Sequence, residues 1–272
     1  MLYGNKICDK CQSTYEANDK ACPNCGDVKN PKRSENVINL SILKQVLFFV
    51  IGYGVLQAIA VFAQVVILLL LEGTLEERIA AFAADPFYSM IVMLVSYLLI
   101  AGALLIILLT NYKTLIPHFK KYQNYLYGFL YGLALIGFSV IYGNLLPSVG
   151  SNDNQLIAES LTTSYPVFSI IIIGIIGPIC EEITYRLGLY SFLSRFNKVA
   201  AYIGSALIFA FIHFNFITND ILVELINLPV YIISGLILSF VYDKHGLPGS
   251  LTAHITNNLL SCLVTIIAGA RV

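Results

Sequence analysis

Charged side chains are scarce in this sequence. Aspartate, glutamate, lysine and arginine make up 12% of its 272 residues, whereas 57% of the residues are hydrophobic. An average soluble domain is about 25% charged, so this composition, with a mean hydropathy of +0.77, excludes an ordinary soluble protein. It indicates instead a membrane protein that crosses the bilayer several times. The formal net charge is zero, and no nucleic-acid partner is expected.

The basic run and short apolar core of a cleavable signal peptide are also missing from the start of the sequence. The first residues are polar and include cysteine instead. The first apolar segment is therefore expected to act as a signal anchor.

Seven apolar segments approach the length of about 20 residues that a helix needs to cross the hydrocarbon core. They are residues 40–71, 87–109, 125–146, 166–184, 199–216, 221–242 and 250–270. The first is long enough to tilt, and the fifth is short. The predicted fold is an all-α, polytopic membrane bundle of about seven transmembrane helices in the lipid bilayer.

The loop charges predict how this bundle is oriented. Lysine and arginine collect on the cytoplasmic side of membrane proteins. Here they lie in the N-terminal tail and in alternate connections, as Lys113, Lys120, Lys121, Arg186, Arg195, Lys198 and Lys244. The loops on the other side contain mainly glutamate and aspartate. This alternation predicts a multi-pass protein of the cell membrane with a cytoplasmic N-terminus.

Four of the six cysteines form two C-x-x-C pairs near the N-terminus, namely Cys8, Cys11, Cys22 and Cys25. Two such turns can present four thiolates to one tetrahedral zinc ion. The alternative, two disulfides, conflicts with a cytoplasmic location, where thiols stay reduced. Because four protein ligands leave no position for water, the zinc should be structural. We expect a zinc ribbon over residues 1–28, on which a protein partner can dock, then a linker over residues 29–39 and a transmembrane domain over residues 40–272.

A few polar residues interrupt the predicted spans, where a charged side chain is energetically costly and usually marks function. They are Glu181, Glu182, Arg186, His213, Glu224, His254, Asn257 and Asn258. Glu224 lies near the start of its span, as Lys44 does, and is expected to reach water there. Asn257 is interpreted as a packing residue. The others need partners inside the bundle.

Helical spacing separates the two adjacent acids. Glu182 and Arg186 are four residues apart and can form an ion pair on one face. Glu181 is turned about 100° away and has no cation at that spacing, which makes it a candidate general base.

Two further pairs share a helical face, Phe209 with His213 and His254 with Asn258. Three helices that each carry one polar cluster are expected to bring the clusters together, because a cluster without partners is unfavourable in lipid. A glutamate, two histidines and an amide can together activate water and stabilise the oxyanion formed at a carbonyl.

The motifs E-E-x-x-x-R from Glu181, F-x-x-x-H from Phe209 and H-x-x-x-N from His254, in this order, resemble those of the CPBP intramembrane proteases. That family comprises the CaaX-processing endopeptidases and the bacteriocin-processing or self-immunity (Abi) proteins. The resemblance covers residues 166–270 and leaves out the ribbon and the first spans. It implies a bacterial-type membrane endopeptidase that acts on a peptide or a membrane protein.

The resemblance also implies a role for each residue that matches a motif. Glu181 would be the general base, His213 and His254 polar catalytic groups, and Asn258 an oxyanion donor. Glu182, Arg186 and Phe209 would support them. Whether Glu181, His213 and His254 hold a catalytic zinc, or act on water without one, is left open by the sequence.

Two other functions are compatible with buried polar residues. One is a non-catalytic scaffold or self-immunity protein of the same fold, and the other is a proton-coupled transporter. Repeated halves, which are typical of transporters, are not evident. The motifs of other intramembrane proteases, H-E-x-x-H, G-x-S-G and G-x-G-D, do not occur.

The predicted depths of the site residues disagree with one another. His213 lies about 22 Å along a helix from Lys198, whereas Glu181 and His254 lie about 8 Å from the cytoplasmic boundary. We therefore expect the fourth helix to continue past Arg186 toward Asn197, which places Glu181 deeper.

Overall fold

The structure is a computed structural model that describes residues 6–8, 11, 13–15, 19, 21–26, 34, 36–146, 150–218 and 220–269. Near the N-terminus, strands β1 (Lys6–Ile7) and β2 (Thr14–Tyr15) form an antiparallel pair. The rest of the described chain is helical: α1 (Ile42–Leu70), α2 (Leu75–Ala84), α3 (Pro86–Leu109), α4 (Tyr112–Phe119), α5 (Gln123–Leu145), α6 (Asp153–Ser164), α7 (Pro166–Leu193), α8 (Lys198–Phe211) and α9 (Ile221–Gly269).

Five of these helices, α1, α3, α5, α7 and α9, are long and apolar enough to cross a membrane. Large apolar side chains such as Phe62, Ile106 and Val140 are exposed on the outside of the bundle. An apolar exterior of this extent suits contact with lipid and not with water. The predicted all-α membrane bundle is therefore confirmed.

The number of crossings stays a prediction, because three of the seven predicted segments differ in form. The predicted sixth and seventh segments both lie in α9, whose helical path breaks at Gly246 with φ at +67°, a conformation that favours glycine. The predicted fifth segment corresponds to α8, which has 14 residues and is about 21 Å long. It ends at Phe211, so His213 lies in the turn after the helix and not within it.

Helix α7 continues past Arg186 to Leu193, as the depth argument predicted. Glu181 therefore lies about 18 Å along the helix from that end. Two stretches of α7, Ile172–Ile176 and Ile183–Tyr190, are wound as π-helix, and they flank the two acids on either side. Local π-helix is uncommon and often occurs at functional sites.

The basic loops predicted to be cytoplasmic meet at one end of the bundle. Lys198 Nζ lies 2.7 Å from Asp243 Oδ2, and Lys121 Nζ donates to Asn36 Oδ1 at 3.2 Å. Arg186, one of the basic residues that the sequence assigned to these loops, lies instead within α7 and is fully buried. Which end faces the cytoplasm stays a prediction.

The last residues of the predicted linker pack into the bundle. Ile38 is fully buried, and its amide N–H donates to the hydroxyl of Tyr242 at 3.3 Å. The side-chain amide of Asn36 donates to the backbone carbonyl of Lys244 at 2.6 Å, close to the break in α9. Residues 29–33 of the linker lie outside the described residues.

Candidate active site

The ion pair predicted from helical spacing is present in α7. Arg186 Nε lies 3.3 Å from Glu182 Oε2, and both side chains are fully buried. The guanidinium group also donates to Ser239 Oγ of α9 at 3.4 Å and lies 5.2 Å from the centre of the Phe209 ring. Glu182 and Arg186 therefore neutralise each other and connect α7 to α8 and α9.

His254 of α9 lies between the two adjacent acids. Its Nδ1 is 3.0 Å from Glu182 Oε1, and its Nε2 is 3.7 Å from Glu181 Oε2. The edge of the imidazole also contacts the ring of Phe209, with centroids 5.8 Å apart. When Nδ1–H donates to Glu182, the lone pair of Nε2 is directed toward Glu181.

Glu181 differs from Glu182 in its exposure. The side chain of Glu181 is 11% exposed, whereas that of Glu182 is 0% exposed. Glu181 Oε1 accepts a hydrogen bond of 3.1 Å from the hydroxyl of Tyr97 on α3. Tyr97 is not among the site residues predicted from the sequence, although a phenol inside an apolar helix needs a hydrogen-bond partner.

His213 is held by contacts on three sides in the turn after α8. Its Nδ1–H donates to the carbonyl of Phe209 at 2.8 Å, and its ring stacks on Tyr231 at 4.6 Å. The amide of Asn152, the residue before α6, donates to the His213 carbonyl at 3.1 Å. In the described part of the chain no hydrogen bond or ion pair joins His213 to the acids of α7, so the structure places it beside that cluster and not within it.

Asn258 contacts the π-helical stretch of α7 that precedes Glu181. In this stretch Gly177 N–H bonds to the Ile172 carbonyl, five residues back. Pro178 has no N–H to bond to the Ile173 carbonyl in the same way. Asn258 Nδ2 supplies that donor at 3.0 Å. One hydrogen of the Asn258 amide therefore remains for another acceptor.

The neighbours of Asn258 hold it in place. Asn257, interpreted above as a packing residue, donates to Asn258 Oδ1 at 3.1 Å. On the facing helix, a Cβ at Gly174 would come within 2.7 Å of the Leu259 side chain. A side chain at this position would force the Leu259 side chain to move, so Gly174 permits the present packing next to Asn258.

The expectation that Glu224 reaches water is wrong. Glu224 is 1% exposed and accepts hydrogen bonds from the Asp153 N–H at 2.8 Å, the Asn215 N–H at 3.0 Å and the Asn152 amide at 3.4 Å. The reason is that the start of α6 and the loop after α8 fold over the start of α9. The hydrogen bonds to Glu224 therefore connect the start of α6 and the loop after α8 to the start of α9, next to His213.

The four N-terminal cysteines form a cluster suited to a metal ion. Among the described residues they are the one group of three or more His, Cys, Asp or Glu residues whose ligand atoms lie within 4.8 Å of one another. The Sγ atoms of Cys8 and Cys25, and those of Cys11 and Cys22, are 3.6 Å apart. Four thiolates around zinc at about 2.3 Å would be about 3.8 Å apart. The spacing therefore fits a tetrahedral ion.

The protonation chemistry of the cluster also fits. All six cysteines are free thiols in the structure. A hydrogen bond from the Ser13 hydroxyl lowers the pKa of Cys11 to about 6 and lowers the pKa of Cys22 as well. The thiolate is the form that binds metals, so these residues are prepared as ligands.

The alternative catalytic metal set of Glu181, His213 and His254 fits less well. Each imidazole has its Nδ1 fixed by a neighbouring oxygen, which leaves Nε2 in the orientation of a metal ligand. The three ligand atoms, however, do not lie within 4.8 Å of one another. In this arrangement the residues do not form a three-ligand site.

Comparisons with known proteins agree with the motifs. Residues 163–260 match the family described as type II CAAX prenyl endopeptidase Rce1-like. An uncharacterized protein of Mycoplasma capricolum subsp. capricolum is 30% identical over 141 residues, which cover 47% of this chain and 39% of that relative. The chain thus spans well under half the length of this relative. No solved structure matches the chain. The resemblance inferred from the three motifs is therefore confirmed: residues 163–260 of this chain are similar to the CPBP-type CAAX prenyl endopeptidases.

Proposed function

We propose that residues 166–270 form the catalytic core of an intramembrane endopeptidase in which Glu181 activates water. The observation that carries the proposal is the position of His254 between two unlike acids. Glu182 is fully buried and neutralised by Arg186, whereas Glu181 is partly exposed and faces His254 Nε2 at 3.7 Å. An open acid beside an oriented imidazole is the arrangement that general-base catalysis requires.

Glu181 and His254 can bind the same water molecule. One hydrogen of the water would bond to Glu181 Oε2 and the other to His254 Nε2. As the water oxygen forms its bond to the substrate carbonyl carbon, Glu181 takes the first proton. The Asn258 hydrogen that does not bond Ile173 stabilises the carbonyl oxyanion. When the C–N bond breaks, the proton on Glu181 passes to the leaving amine.

The other motif residues act through these groups. Glu182 fixes the orientation of His254, and Arg186 keeps Glu182 charged and in place. His213 contributes a second imidazole whose Nε2 is not used by Phe209. Since Glu181 lies about 18 Å along α7 from its end, we expect cleavage to take place inside the bundle, on substrates that associate with the membrane. Prenylated C-terminal tails, bacteriocin leaders and membrane-anchored regulators fit this requirement equally.

The decisive experiment compares the purified protein with its Glu181→Gln variant on a panel of membrane peptides. The amide cannot accept the proton from water, so cleavage should fall by about a thousandfold, within the range for loss of a general base. The matched control is Glu76→Gln on α2, an exposed acid, and it should cleave normally. Equal cleavage by Glu181→Gln and the unmodified protein, or cleavage by neither, would favour the non-catalytic scaffold.

We also propose that the cysteine cluster holds one structural zinc ion. Replacing Cys8, Cys11, Cys22 and Cys25 by serine should reduce the zinc content from about one ion per chain to none, while peptide cleavage persists. Because protons compete with metal for thiolates, acidification should also weaken zinc binding by the unmodified protein. Zinc that stays at one ion per chain in the serine variant would instead indicate a catalytic ion at the histidines.

A further inference from the structure

Tyr97 makes a contact with Glu181 that neither the motifs nor the family match includes. It lies on α3, well before the matched residues 163–260. Its hydroxyl donates to Glu181 Oε1 at 3.1 Å, while the other oxygen, Oε2, faces His254 Nε2. The two oxygens of Glu181 therefore have different partners on different helices.

The position of the phenol is itself well defined. The Tyr97 ring packs against α7 one turn before Glu181, where a Cβ at Gly177 would lie 3.6 Å from ring atoms Cε1 and Cζ. The ring and the helix are therefore in close contact at this turn. A phenol fixed in this way gives its hydrogen bond a fixed direction.

A glutamate carboxylate does not hold its own orientation. Its last torsion has a broad energy profile with two roughly equivalent orientations. Arg186 restrains the neighbouring Glu182, but no arginine or lysine is paired with Glu181 in the described part of the chain. The hydroxyl of Tyr97 is then the group that fixes the plane of the carboxylate, with one oxygen bonded to Tyr97 and the other facing His254.

We propose that Tyr97 is a positioning residue for the general base: it binds Glu181 Oε1 and so directs Oε2 to the water beside His254. The inference rests on the proposed function, since it assigns a partner to the same base. It also extends the functional unit beyond the matched segment, because α3 becomes part of the active site. Tyr97 does not contact the reacting atoms in this mechanism, and its effect is on the orientation of Glu181.

The test is the substitution Tyr97→Phe, which removes the hydroxyl and keeps the ring. We expect kcat to fall about tenfold, the size expected for losing one hydrogen bond to a charged group. KM should stay within about twofold, because substrate binding does not involve the hydroxyl. The matched control is Tyr142→Phe, which removes a similar hydrogen bond between helices, from Tyr142 to the Ile226 carbonyl at 2.6 Å. This control should leave kcat and KM unchanged.

Infrared difference spectra supply a readout that does not depend on cleavage. Tyr97→Phe should shift a carboxylate stretching band of the protein, and the same substitution made on top of Glu181→Gln should leave that band region unchanged. A Tyr97→Phe variant with normal kcat and no band shift would overturn the inference. If the unmodified protein cleaves nothing while the band shift is present, the proposed function fails and the hydrogen bond to Glu181 stands.

Discussion

Two buried acidic clusters in the bundle differ in how completely their carboxylates are satisfied. Around Glu224, both oxygens accept hydrogen bonds from backbone N–H groups and from an amide, at 2.8 to 3.4 Å. Around α7, Glu182 is neutralised by Arg186 and bonded by His254, but the adjacent Glu181 keeps part of its surface exposed. Glu224 and Glu182 are therefore closed off from water, and Glu181 is the acid of these three that is partly exposed.

This difference separates structural acids from a chemical one. A carboxylate whose oxygens are all bonded to fixed donors cannot accept a further proton without losing those bonds. Glu224 is in that situation, whereas Glu182 accepts one hydrogen bond from His254 at Oε1 and has the charge on Oε2 neutralised by Arg186 at 3.3 Å. Glu181 bonds one phenol and faces one imidazole, so it can accept a proton from water and keep its place. The comparison predicts that mutating a structural acid mainly lowers stability, whereas mutating Glu181 mainly lowers activity.

Removing Glu182 should have the largest effect on stability. Glu182→Ala would leave the Arg186 guanidinium buried without its partner, and breaking a buried ion pair in this way costs about 3–5 kcal/mol. We expect poor folding and a strongly reduced unfolding temperature in detergent micelles.

The double variant Glu182→Leu with Arg186→Met tests whether the loss of stability comes from the unpaired buried charge. It removes both charges, so it should recover much of the lost stability while peptide cleavage stays lost, because His254 would no longer be oriented. Glu181→Gln should unfold at nearly the same temperature as the unmodified protein. An unfolding temperature unchanged in Glu182→Ala would contradict the assignment of Glu182 as a structural acid.

The sequence predicted the helices and the motif residues because both depend on local spacing. Apolar runs locate the spans, and the i, i+4 rule paired Glu182 with Arg186. The sequence predicted that His254 would lie near the two acids, but not which atoms would be in contact. Spacing along one helix does not determine which atoms of a neighbouring helix that helix contacts. The length of α7 also followed from a physical requirement, that groups sharing one site lie at one depth.

The partners on other helices could not be predicted in this way. Tyr97 is one of many aromatic residues in apolar segments, and its contact with Glu181 depends on how α3 packs against α7. Glu224 was predicted to reach water because it lies near the end of a span. That position indicates its depth in the membrane, but not whether other segments cover it. The fold of α6 over the start of α9 decides its burial, and this is a long-range contact. Asn152 was missed for the same reason.

The smaller effect in the comparison concerns Glu224. In Glu224→Gln one carboxylate oxygen becomes an NH₂ group that faces N–H donors, so at least one buried donor loses its acceptor. An unsatisfied buried group of this kind costs about 1–3 kcal/mol, which should lower the unfolding temperature by less than Glu182→Ala does.

Cleavage by Glu224→Gln should fall only modestly. Glu224 reaches the site through Asn152 and the backbone of His213, and it does not touch Glu181 or His254. Thermal unfolding and peptide cleavage measured on the same preparations, with Glu76→Gln as the exposed control, check this outcome. A Glu224→Gln variant that folds with normal stability but has lost cleavage as completely as Glu181→Gln would place the second cluster in the chemistry. The distinction between enclosed and partly exposed acids would then not identify the base.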